Sequence, residues 1–291
     1  MRLTRCGKYV APLSHPGTGH DMVTHPITPE SPPMTEHLLY DVRDNIGIVT
    51  INRPASRNAM LYPMYDRLAE ICASLGDGPV KALILTGAGE QAFCAGTDIS
   101  QFRTLRTPED ALAYDAHVDH ILEVLETCKV PTIAAIAGAC TGGGAGLAAT
   151  CDMRIGMVNA RFGFPIARTL GNCLSIDIYA RLRDLLGAAR VKDLLFTSRL
   201  LGAEEAHRIG LFSELLPDHA ALMARAEELA RHLAGQAPLT LRATKESLRR
   251  LRIAGQPEAA HDLVLMCYMS ADFREGMDAF LNKRPAVWQG R

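Results

Sequence analysis

The chain carries almost no net charge, which excludes partners that are bound through a strong field of one sign. Its 291 residues include 31 Lys and Arg and 32 Asp and Glu, so the net charge is -1. Domains that bind nucleic acid or an anionic membrane surface usually carry a basic excess or a basic patch. We therefore expect neither nucleic acid nor a membrane among the partners.

Motifs for metal and nucleotide binding are also missing. The eight cysteines show no C-x-x-C spacing, so no zinc site is predicted, and most of them lie in apolar runs, as reduced thiols of cytoplasmic proteins do. The glycine run from Gly142 breaks the G-x-G-x-x-G spacing at Leu147, and no Gly-Lys-Ser or Gly-Lys-Thr follows it. We expect a cytoplasmic protein without a bound cofactor.

The first 36 residues lack hydrophobic periodicity. Residues 1–33 hold six prolines and three histidines but no apolar stretch typical of a secretory signal. We interpret residues 1–36 as a disordered extension, or as the product of an upstream start codon with Met34 as the functional beginning. Residues 37–205 then form a core, and residues 206–291 a helical region.

Hydrophobic periodicity predicts an α/β core. Residues 38–42 and 46–51 read as a β-hairpin that turns at Asp44-Asn45. Further strands are predicted from Val80, over 132–136 and over 153–157, and helices over 63–75, over 108–127 and from Gly143. On the helix over 108–127 the candidate inward positions are Leu112, His120, Ile121, Val124 and Leu125. Beyond residue 174 the pattern is helical almost throughout, with breaks at glycine and proline.

The uncharged stretch 130–150 has two interpretations. Gly142 and Gly146 form a G-x-x-x-G pattern, which is found in membrane helices. Pro131 and the clustered glycines argue against one continuous helix, and small residues outnumber bulky apolar ones. A buried strand, a turn and a buried helix explain the stretch better.

Two glycine-containing segments, Ala92–Ile99 and Cys140–Leu147, carry the strongest functional signal. Each ends an apolar run with glycine and then begins a helix-like stretch. The start of a helix leaves backbone N–H groups unpaired, and two such groups aimed at one point can hold a carbonyl oxygen that gains charge. Taken alone, a triple glycine is equally well a flexible turn.

The pair of segments resembles the signature of the crotonase (enoyl-CoA hydratase/isomerase) superfamily. Further matches are Ile51–Met60, Cys151–Ile155, Ala160–Gly163 and the closing residues 273–288. The resemblance covers residues 37–291 and implies a spiral of ββα units followed by a helical trimerisation region. It implies a lyase or isomerase that acts on an acyl-CoA thioester, with coenzyme A as part of the substrate. The oxyanion-hole donors would be the amides of Thr97 and Gly143.

Both glutamates of the family's hydratases are replaced in this chain. One would lie on the helix after the triple glycine and the other after Phe-Gly-x-Pro, and these positions hold Gly146 and Ile166. Neither residue can transfer a proton, whereas hydration needs one group to activate water and another to deliver a proton. The sequence therefore predicts a reaction other than hydration by paired glutamates.

The resemblance suggests replacements for the missing acids. Cys173 stands where the 4-chlorobenzoyl-CoA dehalogenase branch has its nucleophilic aspartate, so it is either a thiolate nucleophile at a helix start or a buried structural cysteine. Arg168 either binds an acyl carboxylate or pairs at the surface. Asp98, with Gln101 three residues on, either caps a helix or acts as a base.

Two histidines are a fourth possible replacement for the missing acids. His117 and His120 share a helix face, which either meets substrate or is solvated.

The resemblance also predicts which residues bind coenzyme A and how the subunits assemble. The resemblance implies that coenzyme A is bound by Arg57, by the backbone at Cys94 and Ala95, and by Phe280 with Lys283 of an adjacent subunit. Without the resemblance, Arg57 and Lys283 would be interpreted as solvated surface charges. It implies a homotrimer or a dimer of trimers. The alternatives are an acyl-CoA hydrolase or dehalogenase-like enzyme that uses Cys173, and a non-catalytic acyl-CoA-binding protein.

Overall fold

A computed structural model describes residues 34–76, 78–253, 265 and 267–287 of the chain. Of the predicted disordered extension over residues 1–36, residues 1–33 lie outside this described part, whereas residues 34–36 belong to a short helix, Met34–His37. The strands are β1 Leu38–Arg43, β2 Ile46–Ile51, β3 Ala82–Gly87, β4 Ala92–Cys94, β5 Thr132–Ile136, β6 Ala139–Thr141, β7 Met153–Met157, β8 Arg161–Gly163, β9 Leu201–Gly202 and β10 Leu215–Leu216. The helices are α1 Met34–His37, α2 Tyr62–Ser74, α3 Pro108–Glu126, α4 Gly143–Thr150, α5 Ile166–Thr169, α6 Ile176–Leu186, α7 Ala188–Thr197, α8 Ala203–Arg208, α9 His219–Ala234, α10 Pro238–Ile253 and α11 Ala271–Leu281.

The predicted hairpin begins the larger sheet. Strands β1 and β2 pair antiparallel, with Leu38 opposite Ile51. Asp44 and Asn45 both adopt positive φ, at 47° and 63°, as a two-residue turn between right-twisted strands requires. The hairpin prediction is confirmed.

Successive strands then alternate between two sheets. The larger sheet has the order β1-β2-β3-β5-β7-β10 and the smaller one β4-β6-β8-β9. Strands β3, β5 and β7 run parallel in the first sheet, and each is followed by a strand of the second sheet and then by a helix. The path β3-β4-α3, β5-β6-α4, β7-β8-α5 is a ββα unit repeated three times, although the sequence shows no repeat.

The larger sheet is buried on both faces. The helices α2, α3 and α4 cover one face, and on the other face Leu222, Ala226 and Leu229 of α9 pack against strand residues such as Ile84 and Ile133. Strands covered on both sides read as continuous apolar runs. This explains why residues 132–136 and 153–157 were predicted with the bounds that the structure has.

The C-terminal part departs from the prediction in detail. The short strands β9 and β10 lie in a region that was predicted to be helical, and the proposed boundary between residues 205 and 206 falls inside α8. Helix α10 is tied to the core by Arg252, whose guanidinium lies 2.5 Å from both Asp177 Oδ1 and Glu126 Oε2. None of the helices that the structure describes is long and apolar enough to cross a membrane.

Candidate active site

The two glycine-containing segments meet at a cavity of about 260 Å³. Its walls come from these segments, the inward face of α3, the start of α5, the loop before α6 and Phe280 of α11. A larger cavity, of about 820 Å³, lies beside α10, and none of the sequence-predicted site residues lines it. The smaller cavity is therefore the candidate active site.

Thr97 and Gly143 bring two free amides to one wall of this cavity. Gly143 is the first residue of α4, and Gly142 before it adopts φ 54° and ψ -124° to make the turn. A Cβ built on Gly143 would lie 3.4 Å from the Thr97 nitrogen, so the two backbone segments approach each other closely. Within the described part of the chain, neither N–H donates a hydrogen bond to a protein atom. Adjacent unpaired amides at a cavity wall can hold an oxyanion.

A chain of hydroxyl groups lies behind these amides. The Tyr65 hydroxyl is 3.0 Å from Thr97 Oγ1, which is 3.4 Å from the Tyr114 hydroxyl. Burial raises the pKa of both tyrosines, so the groups stay neutral near pH 7. The sequence did not reveal this row of hydroxyl groups, because they come from α2, from the loop after β4 and from α3 and share no motif.

The positions of the two missing glutamates are apolar. Gly146 is buried in α4, and a Cβ there would lie 3.9 Å from Leu122 and 4.0 Å from Ile178, so the position has room for a side chain. Ile166 begins α5 and lines the cavity. Neither site holds a group that can transfer a proton.

Cys173 lines the cavity, but its environment differs from the one expected. The helix that follows Cys173 is α6, and its start is capped by Ser175, whose hydroxyl accepts a hydrogen bond from the Ile178 amide. A hydrogen bond with the Cys267 thiol and burial raise the pKa of Cys173. This environment raises rather than lowers the thiol pKa, and a nucleophilic role for Cys173 stays a prediction.

Arg168 and Asp98 do not face the cavity. Arg168 is exposed on α5 and is absent from the cavity wall. Asp98 caps the short 3-10 helix Ile99–Thr104 by accepting from the amide and hydroxyl of Ser100, and it pairs with Arg53 at 3.0 Å. Burial alone would raise the Asp98 pKa, but these partners outweigh it and lower the pKa. Of the two interpretations of Asp98, the structure supports the cap. The Gln101 amide donates to the Asp98 carbonyl oxygen, but its side chain does not complete a capping box and accepts instead from the Tyr62 amide.

The histidine pair is not part of the cavity either. His117 hydrogen-bonds Asp66 at 2.6 Å on the surface, and His120 is exposed. The prediction that His120 points inward is wrong. The predicted inward positions Ile121 and Leu125 are confirmed as buried, and Ala111 and Leu122 are buried as well.

The residues assigned to coenzyme A divide into two groups. Arg57, Ala95 and Phe280 line the cavity. Cys94 is fully buried, and burial raises its thiol pKa to about 12, so only its backbone is available to a ligand. Lys283 is exposed and lies outside the cavity wall. Phe280, which was expected in a neighbour's site, lines the cavity of its own chain.

Asp115 is a site residue that sequence reasoning missed. It is the only carboxylate on the cavity wall among the residues that the structure describes. Burial, and then the charge of Asp119, raise its pKa to about 7. Its spacing from Ala111, Val118 and Leu122 places it on the inward face of α3, and this was the signal available in the sequence.

Known proteins match both the sequence and the fold. The family model described as enoyl-CoA hydratase/isomerase matches residues 41–291. The short-chain-enoyl-CoA hydratase of Clostridium acetobutylicum is 34% identical over 259 residues, which cover 85% of this chain and 95% of that protein.

Two solved structures are also similar. An enoyl-CoA hydratase/carnithine racemase from Magnetospirillum magneticum is 32% identical, with a TM-score of 0.70, over 88% of this chain and 96% of that one. A methylmalonyl-CoA decarboxylase in complex with 2-nitronate-propionyl-CoA shares the fold with a TM-score of 0.78 at 24% identity, over 88% and 99% of the two chains. The expected spiral of ββα units is confirmed.

Proposed function

The chain belongs to the enoyl-CoA hydratase/isomerase family, and on that premise we propose that it converts a short acyl-CoA thioester by stabilising the charge that develops on the thioester oxygen. The observation that carries the proposal is the pair of free amides of Thr97 and Gly143 at one cavity wall. Hydrogen-bond donors fixed in place before the reaction act most strongly in a site that excludes water. The volume of the cavity, about 260 Å³, favours a small acyl group.

The reaction is proposed to be one that passes through an enolate or a tetrahedral oxyanion without paired glutamates. Gly146 and Ile166 leave the two usual positions without a carboxyl group. Arg57, Ala95 and Phe280 at the cavity wall are the residues proposed to contact coenzyme A, with Arg57 as a charge for its phosphates.

The second candidate is covalent catalysis by Cys173, as in a hydrolase or a dehalogenase. Cys173 lines the cavity, which favours the idea, but its raised pKa leaves little thiolate at neutral pH. The third candidate is a binding protein without turnover. The binding protein would show no turnover of thioesters, and of the two enzymes only the covalent one would need the Cys173 thiol.

Incubation with a panel of CoA thioesters, followed by mass spectrometry, tests the proposal. We expect at least one short acyl-CoA to be converted, or to exchange its α-hydrogen for deuterium in D2O, and we expect Cys173→Ala to retain this activity within a few-fold. Loss of activity in Cys173→Ala together with a covalent adduct on the unmodified protein would favour the nucleophile. Binding of thioesters without conversion or exchange would favour the binding protein.

We further propose a homotrimer or a dimer of trimers. Leu239, Leu248 and Leu251 of α10 are 73%, 62% and 75% exposed in the single chain, and apolar patches of this kind mark contact surfaces. Light scattering at micromolar concentration is expected to give the mass of three or six chains. The double variant Leu248→Glu/Leu251→Glu should shift that mass downwards. A monomer in the unmodified protein would contradict the assembly.

We also propose a cytoplasmic location. None of the seven cysteines that the structure describes forms a disulfide, as is usual where thiols are kept reduced.

A further inference from the structure

Helix α3 presents Tyr114, Asp115 and Val118 to the cavity. The Tyr114 hydroxyl lies 3.4 Å from the side-chain oxygen of Thr97, whose amide is one of the two proposed donors. This contact brings α3 next to the oxyanion site. Asp115, the next residue on the helix, lines the same small cavity, so a thioester held by Thr97 and Gly143 would share that cavity with a carboxyl group.

The surroundings of Asp115 leave its carboxyl group available. Within residues 34–76, 78–253, 265 and 267–287, it makes no hydrogen bond or ion pair, and only burial and the charge of Asp119 act on it. The nearby cavity wall is largely apolar, with Val118, Leu174 and Ile178. Asp119, by contrast, accepts a hydrogen bond from the Ser175 hydroxyl at 2.5 Å. A half-buried carboxyl group without a structural partner, at the wall of a reaction cavity, is a functional candidate.

The ionisation of Asp115 suits proton transfer at neutral pH. The titratable groups around it are Asp119 and Tyr114 on its own helix, Cys173 from the loop before α6, and Tyr268 from the C-terminal part. Arg57 is a cationic residue of the same cavity wall. Burial, and then the negative charge of Asp119, raise the pKa of Asp115 to about 7. A general acid–base group is most effective when its pKa lies near the working pH.

We propose that Asp115 is the acid–base group that transfers the α-proton of the bound thioester, an inference that rests on the proposed function. The carboxylate takes a proton from the α-carbon, and the electron pair of the broken C–H bond forms the C=C bond of an enolate. The amides of Thr97 and Gly143 hold the enolate oxygen. The neutral carboxyl group then returns the proton to the α-carbon or, where the acyl chain has a β,γ double bond, to the γ-carbon, and the thioester carbonyl re-forms.

This assignment names a substrate class. It requires an acyl-CoA with a hydrogen on the carbon next to the carbonyl, and it suits a β,γ-unsaturated chain, whose enolate is conjugated with the double bond. The net reaction is then a double-bond shift into conjugation with the thioester. No oxidant, reductant or water is consumed, in agreement with the absence of a paired-glutamate arrangement in the described site.

The test uses 3-butenoyl-CoA, with formation of the conjugated thioester followed by ultraviolet absorbance, and butyryl-CoA in D2O, with deuterium uptake followed by mass spectrometry. We expect Asp115→Asn to lower kcat in both assays by about 10²–10⁴-fold with little change in KM. Asp115→Glu should recover part of the activity. The rate of the unmodified protein should rise with pH to a plateau above about pH 7, because the base must be ionised.

Asp119→Asn is the matched control. It removes a negative charge four residues away but leaves Asp115 in place, so the plateau rate should be kept while the rise of the pH profile moves to lower pH. Equal rates for Asp115→Asn and the unmodified protein would overturn the role of Asp115 and leave the proposed function standing. Absence of isomerisation, exchange and conversion of any thioester in the unmodified protein would overturn both.

Discussion

Replacement of Gly143 by proline is expected to lower thioester turnover about a hundredfold or more when it is made in a Tyr65→Phe background. Proline has no N–H group, and loss of one oxyanion-hole donor reduces kcat by about 10²–10³-fold. Proline is tolerated at the first position of a helix, which Gly143 occupies in α4. The second substitution is needed because a Cβ at position 143 would lie 2.3 Å from the Tyr65 hydroxyl. The measurement is kcat/KM for a thioester that the Tyr65→Phe protein converts.

The matched control is Gly143→Ala in the same background. It introduces the same Cβ but keeps the N–H group, so its turnover should stay within a few-fold of Tyr65→Phe alone. Circular dichroism and the melting temperature should agree between the alanine and proline variants. If the two variants turned over thioester equally well, the Gly143 amide would not be a donor.

The glycine-containing segments could be located from the sequence because their constraints are local. Gly142 needs a positive φ of 54°, and a Cβ on Gly144 would lie 2.2 Å from the Cys94 carbonyl oxygen. Only glycine meets such conditions without strain, so a glycine in the sequence directly indicates the backbone geometry at that position. The alternating sheets could not be derived in this way, since no sequence repeat marks the ββα units, and they were expected from family resemblance alone.

Asp115 and Cys173 show why the rest of the site could not be predicted. In the sequence, Asp115 is one of several acidic residues on α3, where Asp110 closes the helix cap with Thr107 and Asp119 is bound by Ser175. What separates Asp115 from them is its place at the cavity wall and the absence of a hydrogen-bond or ion-pair partner in the part of the chain that the structure describes, and both depend on distant segments. The pKa of Cys173 likewise depends on Cys267, which a local pattern cannot reveal.

The last prediction concerns the two missing glutamates. The unmodified protein should hydrate crotonyl-CoA far more slowly than an enzyme with both acids, because general acid–base groups contribute about 10²–10⁴-fold each. Gly146→Glu together with Ile166→Glu should raise hydration by about a hundredfold or more. Position 146 has room for a Cβ that would face Ile178, a residue of the cavity wall, and Ile166 itself lines the cavity. Burial of a carboxyl group raises its pKa, which favours a proton donor.

The experiment follows the loss of the enoyl thioester absorbance and compares the double glutamate variant with Gly146→Gln/Ile166→Gln. Glutamine has nearly the same volume but cannot transfer a proton, so it separates the chemistry from the change in packing. Both pairs are made with and without Asp115→Asn, because Asp115 would otherwise supply one of the two proton transfers. Rapid hydration of crotonyl-CoA by the unmodified protein would contradict the inference from the missing acids. Equal rates for the glutamate and glutamine pairs would show that these two positions no longer face the bound acyl chain.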